Sequence, residues 1–332
     1  MKKRKITVIG VGSIGRRHAR LLSERDDLAV ELCEPNEQSL GRALKEVGDL
    51  AYYKDVESAL AAKPEMVVVA TPHNLHADQA IAALESGAHV LCEKPISDNL
   101  LDAHRMKEAV ERTGRVLTVG FHMHFHPGVR RMIEIIESGA LGEMLHIHCR
   151  VGSYITLVNS ASRHQAKVKG ALLMDYTHQP DLFYLLIGHR PRGVYMAARK
   201  AGDLELSSDP NYISVICDYD TPLLATLHLN YVQMPERHEY EIVGDRAWLH
   251  WDMIKGTMRI GDRERREETV EQISPDRDSV YRAEHQAFID AVDGKRAPES
   301  PAADALVSLE FMEAAMESWR NNSRVELPER VD

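Results

Sequence analysis

Two short motifs place side chains that suit the oxidation of an alcohol. Asp175 and His178 are three residues apart, and residues with that spacing lie on one face of a helix. A histidine oriented by a carboxylate suits general acid–base chemistry near neutral pH. Lys94 stands in the tripeptide Glu93-Lys94-Pro95, after an apolar strand, where its ammonium could hydrogen-bond a substrate hydroxyl and stabilise charge on oxygen. The pattern predicts that Lys94, Asp175 and His178 are catalytic, because the hydroxyl must lose its proton as a hydride leaves the carbon.

Both motifs also have a purely structural interpretation. The tripeptide could be a helix entry with an exposed lysine, and His178 could be a hydrogen-bonded residue in the first turn of a helix. Asp181, three residues after His178, is expected to be structural. The catalytic interpretation is favoured because both motifs share the chain with a dinucleotide-binding pattern.

That pattern is G-x-G-x-x-G, and it falls between an apolar strand and a helical segment. Its expected cofactor contacts are Gly10, Gly12, Ser13, Ile14 and Gly15. Three glycines allow a tight turn, a close backbone approach to a pyrophosphate and close packing of helix on strand. The free N–H groups and positive dipole end of the helix then face the phosphates.

The acidic residue that normally follows this pattern is Glu34, at the end of the second predicted strand. A carboxylate accepts hydrogen bonds from the 2′-hydroxyl of the adenosine ribose and repels a 2′-phosphate. The sequence therefore predicts NAD as the cofactor, with NADP disfavoured. Arg16 and Arg17 stand near the helix start. They could contact a phosphate of the cofactor, or they could only lie on a solvated face of the helix.

A proline turn after the strand Met66–Ala70 is expected to close over the nicotinamide side of the cofactor. Its candidate cofactor contacts, together with Glu93 and Lys94 of the later motif, are Thr71, Pro72, His73 and His76. The alternative is a helix capped by Asn74, with His76 on its wet face.

Three histidines alternate in the segment after the last parallel strand. His122, His124 and His126 would point one way on a strand, as metal ligands can. No accompanying cysteine pair or carboxylate cluster supports a metal, so none is predicted. We expect His122 and His124 to line the substrate pocket, with Tyr154 and the three catalytic candidates.

The elements that must position these residues fall into two halves. Five short apolar strands alternate with helical segments, which is typical of a doubly wound parallel sheet covered on both faces. They are Lys5–Val11, Ala29–Cys33, Met66–Ala70, His89–Cys92 and Val116–Phe121. After residue 121, longer alternating strands with short connections predict an open, mostly antiparallel sheet with helices on one face. The expected domains are residues 1–121 and 122–332.

In that second half, Leu145–Ile155 is expected to be one strand and Met174–Ile187 one helix. An open sheet with an exposed face needs a cover, so a homodimer or homotetramer is expected.

Composition excludes several classes of protein. A net charge of −10 and a pI near 5.9 argue against nucleic acid and anionic membrane as partners. No apolar run approaches the length of a membrane span. The four cysteines are widely separated and form no CxxC pair, which indicates reduced thiols in a cytoplasmic protein.

The chain resembles the glucose–fructose oxidoreductase / inositol dehydrogenase / MocA (Gfo/Idh/MocA) family almost from end to end. The most specific part is the block TPHNLHADQAIAALESGAHVLCEKP, followed at the right spacing by the D-x-x-H pair. The resemblance implies a Rossmann domain and an α/β domain whose open sheet forms the oligomer interface and the floor of a sugar-sized pocket. It also implies that Lys94 is the catalytic lysine of E-K-P, and that Asp175 and His178 serve acid–base and substrate-orienting roles.

Departures from the family pattern concern the pocket. Many relatives read N-x-R-F-x-P where this chain reads HMHFHP, and Gln179-Pro180 replaces the commoner pair after His178. A basic loop before that motif would favour an acidic substrate, or could be only solvated. Its residues are Arg163, His164, Lys167 and Lys169.

The resemblance predicts an NAD-dependent oxidoreductase acting on a hydroxyl or keto carbon of a sugar, sugar derivative or cyclitol. Two alternatives stay open. Some relatives oxidise a sugar transiently, eliminate a glycosidic substituent and return the hydride, with no net redox change. The second alternative is a regulatory protein that binds NAD without turnover.

Overall fold

The computed structural model of the protein describes residues 3–158 and 171–327. The strands are β1 Arg4–Ile9, β2 Leu28–Cys33, β3 Tyr52–Tyr53, β4 Met66–Val69, β5 His89–Glu93, β6 Leu117–Gly120, β7 Met144–Gly152, β8 Gly193–Arg199, β9 Tyr212–Asp218, β10 Leu224–Asn230, β11 Arg237–Gly244, β12 Ala247–Asp252, β13 Thr257–Asp262, β14 Glu267–Gln272 and β15 Val325–Glu326. The α-helices are α1 Ser13–Ser23, α2 Glu37–Val47, α3 Val56–Ala61, α4 His76–Glu85, α5 Leu100–Thr113, α6 Pro127–Glu137, α7 Ile155–Val158, α8 Ala171–Asp175, α9 His178–Ile187, α10 Arg277–Val292 and α11 Ala302–Asn321. Two short 3₁₀ helices cover His73–Leu75 and His122–Phe125.

The chain forms two compact units that do not follow the predicted boundary at residue 121. Among the described residues, the first unit contains 3–125 and 276–309, and the second contains 126–158, 171–275 and 310–327. The segment that starts at residue 276 therefore returns to the unit that the first part of the chain builds.

The first unit is built on a six-stranded sheet in the order β3-β2-β1-β4-β5-β6, and every pair in it is parallel. Its central strands are buried on both faces because helices cover both sides. The strand order reverses between β1 and β4, and ligands of such sheets bind at the carboxyl ends of the strands at that point. This confirms the predicted doubly wound fold.

Helix α10 joins the first unit through its apolar face. Phe288 and Ile289 belong to the same buried cluster as Ile6 and Val8 of β1. Its polar edge binds α1, where the Arg20 guanidinium donates to Asp278 at 2.6 Å. Burial of these side chains explains why a segment so late in the chain belongs to the first unit.

The second unit contains a nine-stranded sheet in the order β14-β13-β12-β11-β7-β10-β9-β8-β15. Only β7 and β10 pair in parallel, and the other pairs are antiparallel. The alternating burial along β9 and β10 gives this sheet one apolar and one more exposed face. The mostly antiparallel sheet predicted for this half is confirmed.

The predicted helix Met174–Ile187 is wrong in one respect, because α8 ends at Asp175 and α9 begins at His178. Pro180 supplies the physical reason. In a continuous helix its ring would clash with the carbonyl of Tyr176, whereas proline is accepted in the first turn of a new helix. Asp175 and His178 therefore do not share the face of one helix.

Two stretches with alternating side chains differ from what the alternation suggests. The segment expected to be a strand through Ile155 ends at Gly152, and a helical turn begins at Ile155. His122–Phe125 is a 3₁₀ turn closed by the His124 N–H, which donates to the Phe121 carbonyl at 2.9 Å. The expectation that alternate histidines point one way on a strand is therefore wrong.

Across the described residues, we find no helix with the length and apolarity needed to span a bilayer. The basic loop predicted around Arg163 lies outside the described residues.

Candidate active site

The glycine-rich turn joins β1 to α1 with almost no space to spare. Gly10 adopts a φ of +83°, and its N–H donates to the Cys33 carbonyl at 2.8 Å. A Cβ on Gly15 would lie 1.9 Å from the Gly10 carbonyl oxygen, so only glycine fits there. Gly12 is exposed, and a Cβ built on it would have no protein atom outside its own chain neighbours within 4 Å.

This contrast between two glycines predicts separable effects. Gly15→Ala should destabilise the protein by about 3 kcal/mol or more, because backbone on either side of the turn must move. Gly12→Ala should change stability by less than about 1 kcal/mol but weaken NAD binding, because the new methyl group stands where a pyrophosphate approaches. Thermal unfolding and calorimetric NAD titration of both variants measure this. Equal losses of stability in the two variants would contradict the assignment.

The start of α1 is open for an anion. Gly12 forms its N-cap without a side-chain hydrogen bond, and the first turn contains no acidic residue. Glu34 lies beside this turn, where its carboxylate accepts from the Val11 N–H at 3.0 Å and from the Asn36 N–H at 2.9 Å. These groups fit a dinucleotide, since free N–H groups face the phosphates and a carboxylate stands where a ribose hydroxyl is bound.

His76 ties together two turns at the carboxyl edge of the sheet. Its Nε2 lies 2.9 Å from the Thr71 carbonyl oxygen, and its Nδ1 lies 2.9 Å from the Pro95 carbonyl oxygen. The ring is buried, and burial lowers its pKa. The exposed helix face considered for His76 is therefore wrong. Pro72 is exposed and His73 half-buried on the turn that His76 supports.

Lys94 follows the last residue of β5 and is half-buried. Because β1, β4 and β5 are neighbours in a parallel sheet, Lys94 emerges at the same edge as the glycine-rich turn and the turn at Thr71. The preceding Glu93 is buried, and its carboxylate accepts from the Lys94 backbone N–H at 3.1 Å. Glu93 thus faces inward, beneath the turn that carries the lysine.

The buried carboxylate of Glu93 is stabilised by a histidine. Burial raises the pKa of Glu93, but the His18 hydrogen bond at 2.9 Å and the charges of His18, His122 and Lys94 outweigh that effect and hold it at about 2. Glu93 is therefore ionised at neutral pH.

A buried cluster of His18, Glu284 and His285 lies next to Glu93. Their ligand atoms are within 4.8 Å of one another, as a metal site would require. Two imidazoles on one zinc ion hold their nitrogens roughly 3.3 Å apart, given tetrahedral bonds of about 2.0 Å. His18 Nδ1 and His285 Nε2 are only 2.7 Å apart, which is a hydrogen-bond distance, and we assign no metal here. Burial raises the pKa of Glu284 well above its usual value.

The histidines after β6 are held by aromatic and polar neighbours. His122 stacks on Tyr281 with ring centroids 4.6 Å apart, and burial lowers its pKa to about 3. His124 is buried and shares a hydrogen bond with the Ser300 hydroxyl at 3.2 Å. Their predicted role in substrate binding stays a prediction.

In the second unit, Asp175 and His178 stand on either side of the break between α8 and α9. The Tyr231 hydroxyl donates a short hydrogen bond to the Asp175 carboxylate. Burial, with the negative charge of Asp175, raises the pKa of Tyr231 strongly. Tyr154 is half-buried, and its hydroxyl accepts from the Leu206 N–H at 3.4 Å.

Two family models together match nearly the whole chain. One, described as the NAD-binding Rossmann fold of the GFO_IDH_MocA oxidoreductase family, matches residues 4–121. The other, described as the C-terminal alpha/beta domain of that family, matches residues 133–327. The chain belongs to the Gfo/Idh/MocA oxidoreductase family.

Individual members of the Gfo/Idh/MocA family differ in their reactions. The chain is 26% identical to myo-inositol 2-dehydrogenase of Thermotoga maritima over 98% of this chain and 99% of that protein. It is 28% identical to 2,7-anhydro-N-acetylneuraminate hydratase of Escherichia coli over 76% of this chain and 69% of that protein. Its fold matches that of scyllo-inositol dehydrogenase of Lactobacillus casei with a TM-score of 0.84, at 19% identity over 98% of this chain and 99% of that one.

Sequence reasoning missed several residues around the candidate site of this Gfo/Idh/MocA protein. Tyr231 lies 56 positions from Asp175, and His285 lies 267 positions from His18. No local pattern joins such pairs. The burial of His18 could have been predicted, because the helical spacing of α1 puts it on the same buried face as Ala19 and Leu22.

Proposed function

We propose that this protein is an NAD-dependent dehydrogenase that transfers a hydride between a hydroxyl or keto carbon of a sugar, sugar derivative or cyclitol and nicotinamide. The observation that carries the proposal is the arrangement of the first unit. Lys94 emerges at the same sheet edge as a glycine-rich turn flanked by Glu34, and His76 joins the Lys94 turn to the neighbouring one. The proposal draws further support from family membership and from the inositol dehydrogenase relative.

In this proposal the chain's own groups handle the proton and the substrate oxygen. Nicotinamide, when bound, supplies the hydride acceptor. Lys94 donates a hydrogen bond to the reacting oxygen and stabilises negative charge there. His178 takes the hydroxyl proton, Asp175 orients the substrate and the base, and Tyr231 fixes the Asp175 carboxylate through its hydroxyl.

The other predicted contacts are assigned by the part of the ligand they would hold. His122, His124 and Tyr154 would line the substrate pocket. The nicotinamide side is assigned to Thr71, Pro72, His73 and His76, and the pyrophosphate side to Gly10, Gly12, Ser13, Ile14 and Gly15.

A screen for NADH formation tests the proposed reaction. The panel would contain hexoses, uronates, inositols and glycosides, each offered with NAD and with NADP. Turnover with one polyol class and NAD supports the proposal. If no compound in the panel leads to NADH formation although calorimetry shows that NAD binds, the proposal is contradicted.

A redox-neutral reaction is the second candidate, and the hydratase relative is the observation that favours it. Transient oxidation of a hydroxyl acidifies the neighbouring C–H, so that a glycosidic substituent can leave before the hydride returns. Product chromatography with catalytic amounts of NAD would detect cleavage that produces no NADH. Binding of NAD without any product would instead favour a regulatory protein.

Glu34 is expected to set the preference for NAD over NADP. Glu34→Gln should weaken NAD binding roughly tenfold or more, because a hydrogen bond to a charged group is lost. The same change should reduce the difference in affinity between NAD and NADP, because the charge that repels a 2′-phosphate is gone. Glu37→Gln is the matched control, since Glu37 is an exposed neighbour that pairs with Lys54. Unchanged discrimination in Glu34→Gln, measured by calorimetry, would contradict this role.

We also propose that a second copy of the chain covers the open face of the nine-stranded sheet, giving a homodimer or homotetramer. Tyr212, Ile216 and Leu224 are exposed on β9 and β10, in a sheet whose opposite face is buried. A cytoplasmic location is proposed as well, since all four cysteines are buried and free.

Ile216→Asp should therefore shift the protein toward the monomer, because a charge would be desolvated at the centre of the contact. Ile254→Asp is the control, since Ile254 is similarly exposed but lies in the turn between β12 and β13. Sedimentation velocity measures both. An Ile216→Asp protein that sediments as the wild type does would rule out this face.

A further inference from the structure

The two faces of the nine-stranded sheet differ in what lies against them. Helix α9 contacts one face, where the Gln179 side-chain amide donates to the Tyr240 hydroxyl of β11 at 3.4 Å. Successive side chains of a strand point to opposite faces of its sheet. Glu239 and Glu241, the neighbours of the buried Tyr240, therefore lie on the open face.

Groups of opposite charge stand on neighbouring strands of this open face. Arg150 of β7 is level with Glu239 of β11. The Arg150 guanidinium donates to the Gln233 side chain at 3.4 Å, and its Nε is buried with no hydrogen-bond partner among the described residues. The Glu239 carboxylate accepts from the exposed Arg237 at 2.7 Å, which leaves further lone pairs on its oxygens. Arg150 thus has donors to spare for a carboxylate from outside the chain.

The seam between β7 and β11 divides the sheet into two halves of four strands. One half is β14, β13, β12 and β11, and the other is β7, β10, β9 and β8, with the two-residue β15 beyond β8. A two-fold axis along this seam, parallel to the strands, would lay each half on the opposite half of a second copy. Strand β11 then meets β7 of the other copy, and β12 meets β10.

We propose that two copies of the chain pack face to face about this axis, so that Arg150 of each copy binds Glu239 of the other. The proposal deepens the homodimer proposed for this sheet by assigning which strands meet, and it rests on that homodimer. It does not depend on the dehydrogenase reaction. Because the contact is isologous, the ion pair occurs twice in each dimer.

Apolar side chains meet in the same arrangement. Leu224 of β10 and Trp248 of β12 stand at one level of the sheet, on opposite sides of the seam. The axis places Leu224, which is 48% exposed in the single chain, on Trp248 of the other copy. At the edges it places Tyr195 of β8 on Val270 of β14, which is 57% exposed. Removing these side chains from water stabilises the contact.

An axis running across the strands is the other way to cover this face. It would lay every strand on its own copy, so that the carboxylates of Glu239 and Glu241 on β11 would face the same row of carboxylates. Like charges brought together at a contact cost free energy. The charges therefore favour the axis along the seam.

The size of the face suits a stable dimer. Eight strands make it about 38 Å wide, and six residues of strand make it about 20 Å long. Each copy thus covers about 750 Å² of the other, close to the roughly 800 Å² per partner of specific interfaces.

Disulfide cross-linking tests which strands meet. Thr226 of β10 and His250 of β12 are level but three strands apart in one chain, or about 14 Å, whereas a disulfide joins Cα atoms less than about 7 Å apart. The double variant Thr226→Cys/His250→Cys should oxidise to a covalent dimer in which mass spectrometry finds the two peptides joined. Either single variant should stay unlinked, and the four native cysteines are buried.

Charge reversal tests the ion pair itself. Arg150→Glu and Glu239→Arg should each raise the dissociation constant of this contact roughly 100-fold or more, because like charges then meet twice. Mixed in equal amounts, the two variants should associate again, since each glutamate meets an arginine of the other copy. Arg265→Glu is the control, because Arg265 is exposed in the turn between β13 and β14. Sedimentation velocity measures all four samples, and circular dichroism checks that they are folded.

The outcomes separate this arrangement from its alternatives. A wild-type dimer whose double cysteine variant gives no link between the two peptides, or whose Thr226→Cys variant links to itself, would overturn the axis along the seam. Folded Arg150→Glu that sediments as the wild type does would overturn the ion pair. A monomeric wild-type protein would overturn both this proposal and the homodimer, and the NADH screen would still decide the reaction separately. If a charge-reversed variant fails to fold, the cross-link decides the axis.

Discussion

Replacing Lys94 with methionine is expected to lower kcat by roughly 100- to 1,000-fold while leaving NAD affinity within about threefold. The side chain keeps its length and loses its charge, so the reacting oxygen loses both a hydrogen-bond donor and a nearby cation. NAD is held mainly by the glycine-rich turn and Glu34, and neither touches the lysine ammonium in this proposal. Steady-state kinetics and calorimetry on the same preparation measure the two effects.

Lys107→Met is the matched control for this variant. It removes a partly exposed lysine on α5 that pairs with Glu111, and it should leave both kcat and NAD affinity unchanged. Wild-type turnover in Lys94→Met would remove Lys94 from the reaction. A parallel loss of NAD affinity would instead make Lys94 a cofactor contact.

Replacing His178 with asparagine should lower kcat by roughly 100- to 10,000-fold, because the hydroxyl proton loses its acceptor. His178 is buried and is the first residue of α9, directly after the N-cap Thr177. Because the N–H groups of the first turn have no partner within the helix, a change of side chain there should leave the helical hydrogen bonds in place. The measurement is kcat between pH 6 and 10. If His178 is the base, hydroxide should take over part of its role, and the deficit should shrink at high pH.

The control for that variant is His104→Asn, which changes an exposed histidine on α5. Its kcat and pH profile should match the wild type. If kcat of His178→Asn is lower than that of the wild type by the same factor at every pH, His178 orients the substrate and another group takes the proton.

Local sequence rules predicted the first unit well, because its features are local. Glycines at the end of an apolar strand, an acidic end to the next strand and buried strands separated by helices all appear within short windows. The prediction missed β3, because a strand of two residues is too short to show an alternation of apolar and polar side chains. It also did not place α10 in the buried cluster around β1, because nothing in the periodicity of a helix says which core it packs on.

The second unit shows where such rules meet their limit. The alternation of side chains predicted a mostly antiparallel sheet, but not the parallel pairing of β7 with β10. The helix break before His178 could have been predicted, since Pro180 in a helix continuous from Met174 would clash with the carbonyl of Tyr176. The Tyr231 contact with Asp175 could not, because it depends on how a strand end and a helix end meet in three dimensions.

Isotope transfer tests the central claim most directly. The substrate identified in the screen is deuterated at its carbinol carbons and incubated with the wild-type protein and NAD, and nicotinamide C4 is examined by mass spectrometry and NMR. A dehydrogenase should accumulate deuterium at C4, in amounts equal to the ketone formed, and should do so far more slowly in Lys94→Met. A product that has lost a substituent while no deuterium accumulates at C4 would contradict that claim and establish the redox-neutral reaction instead.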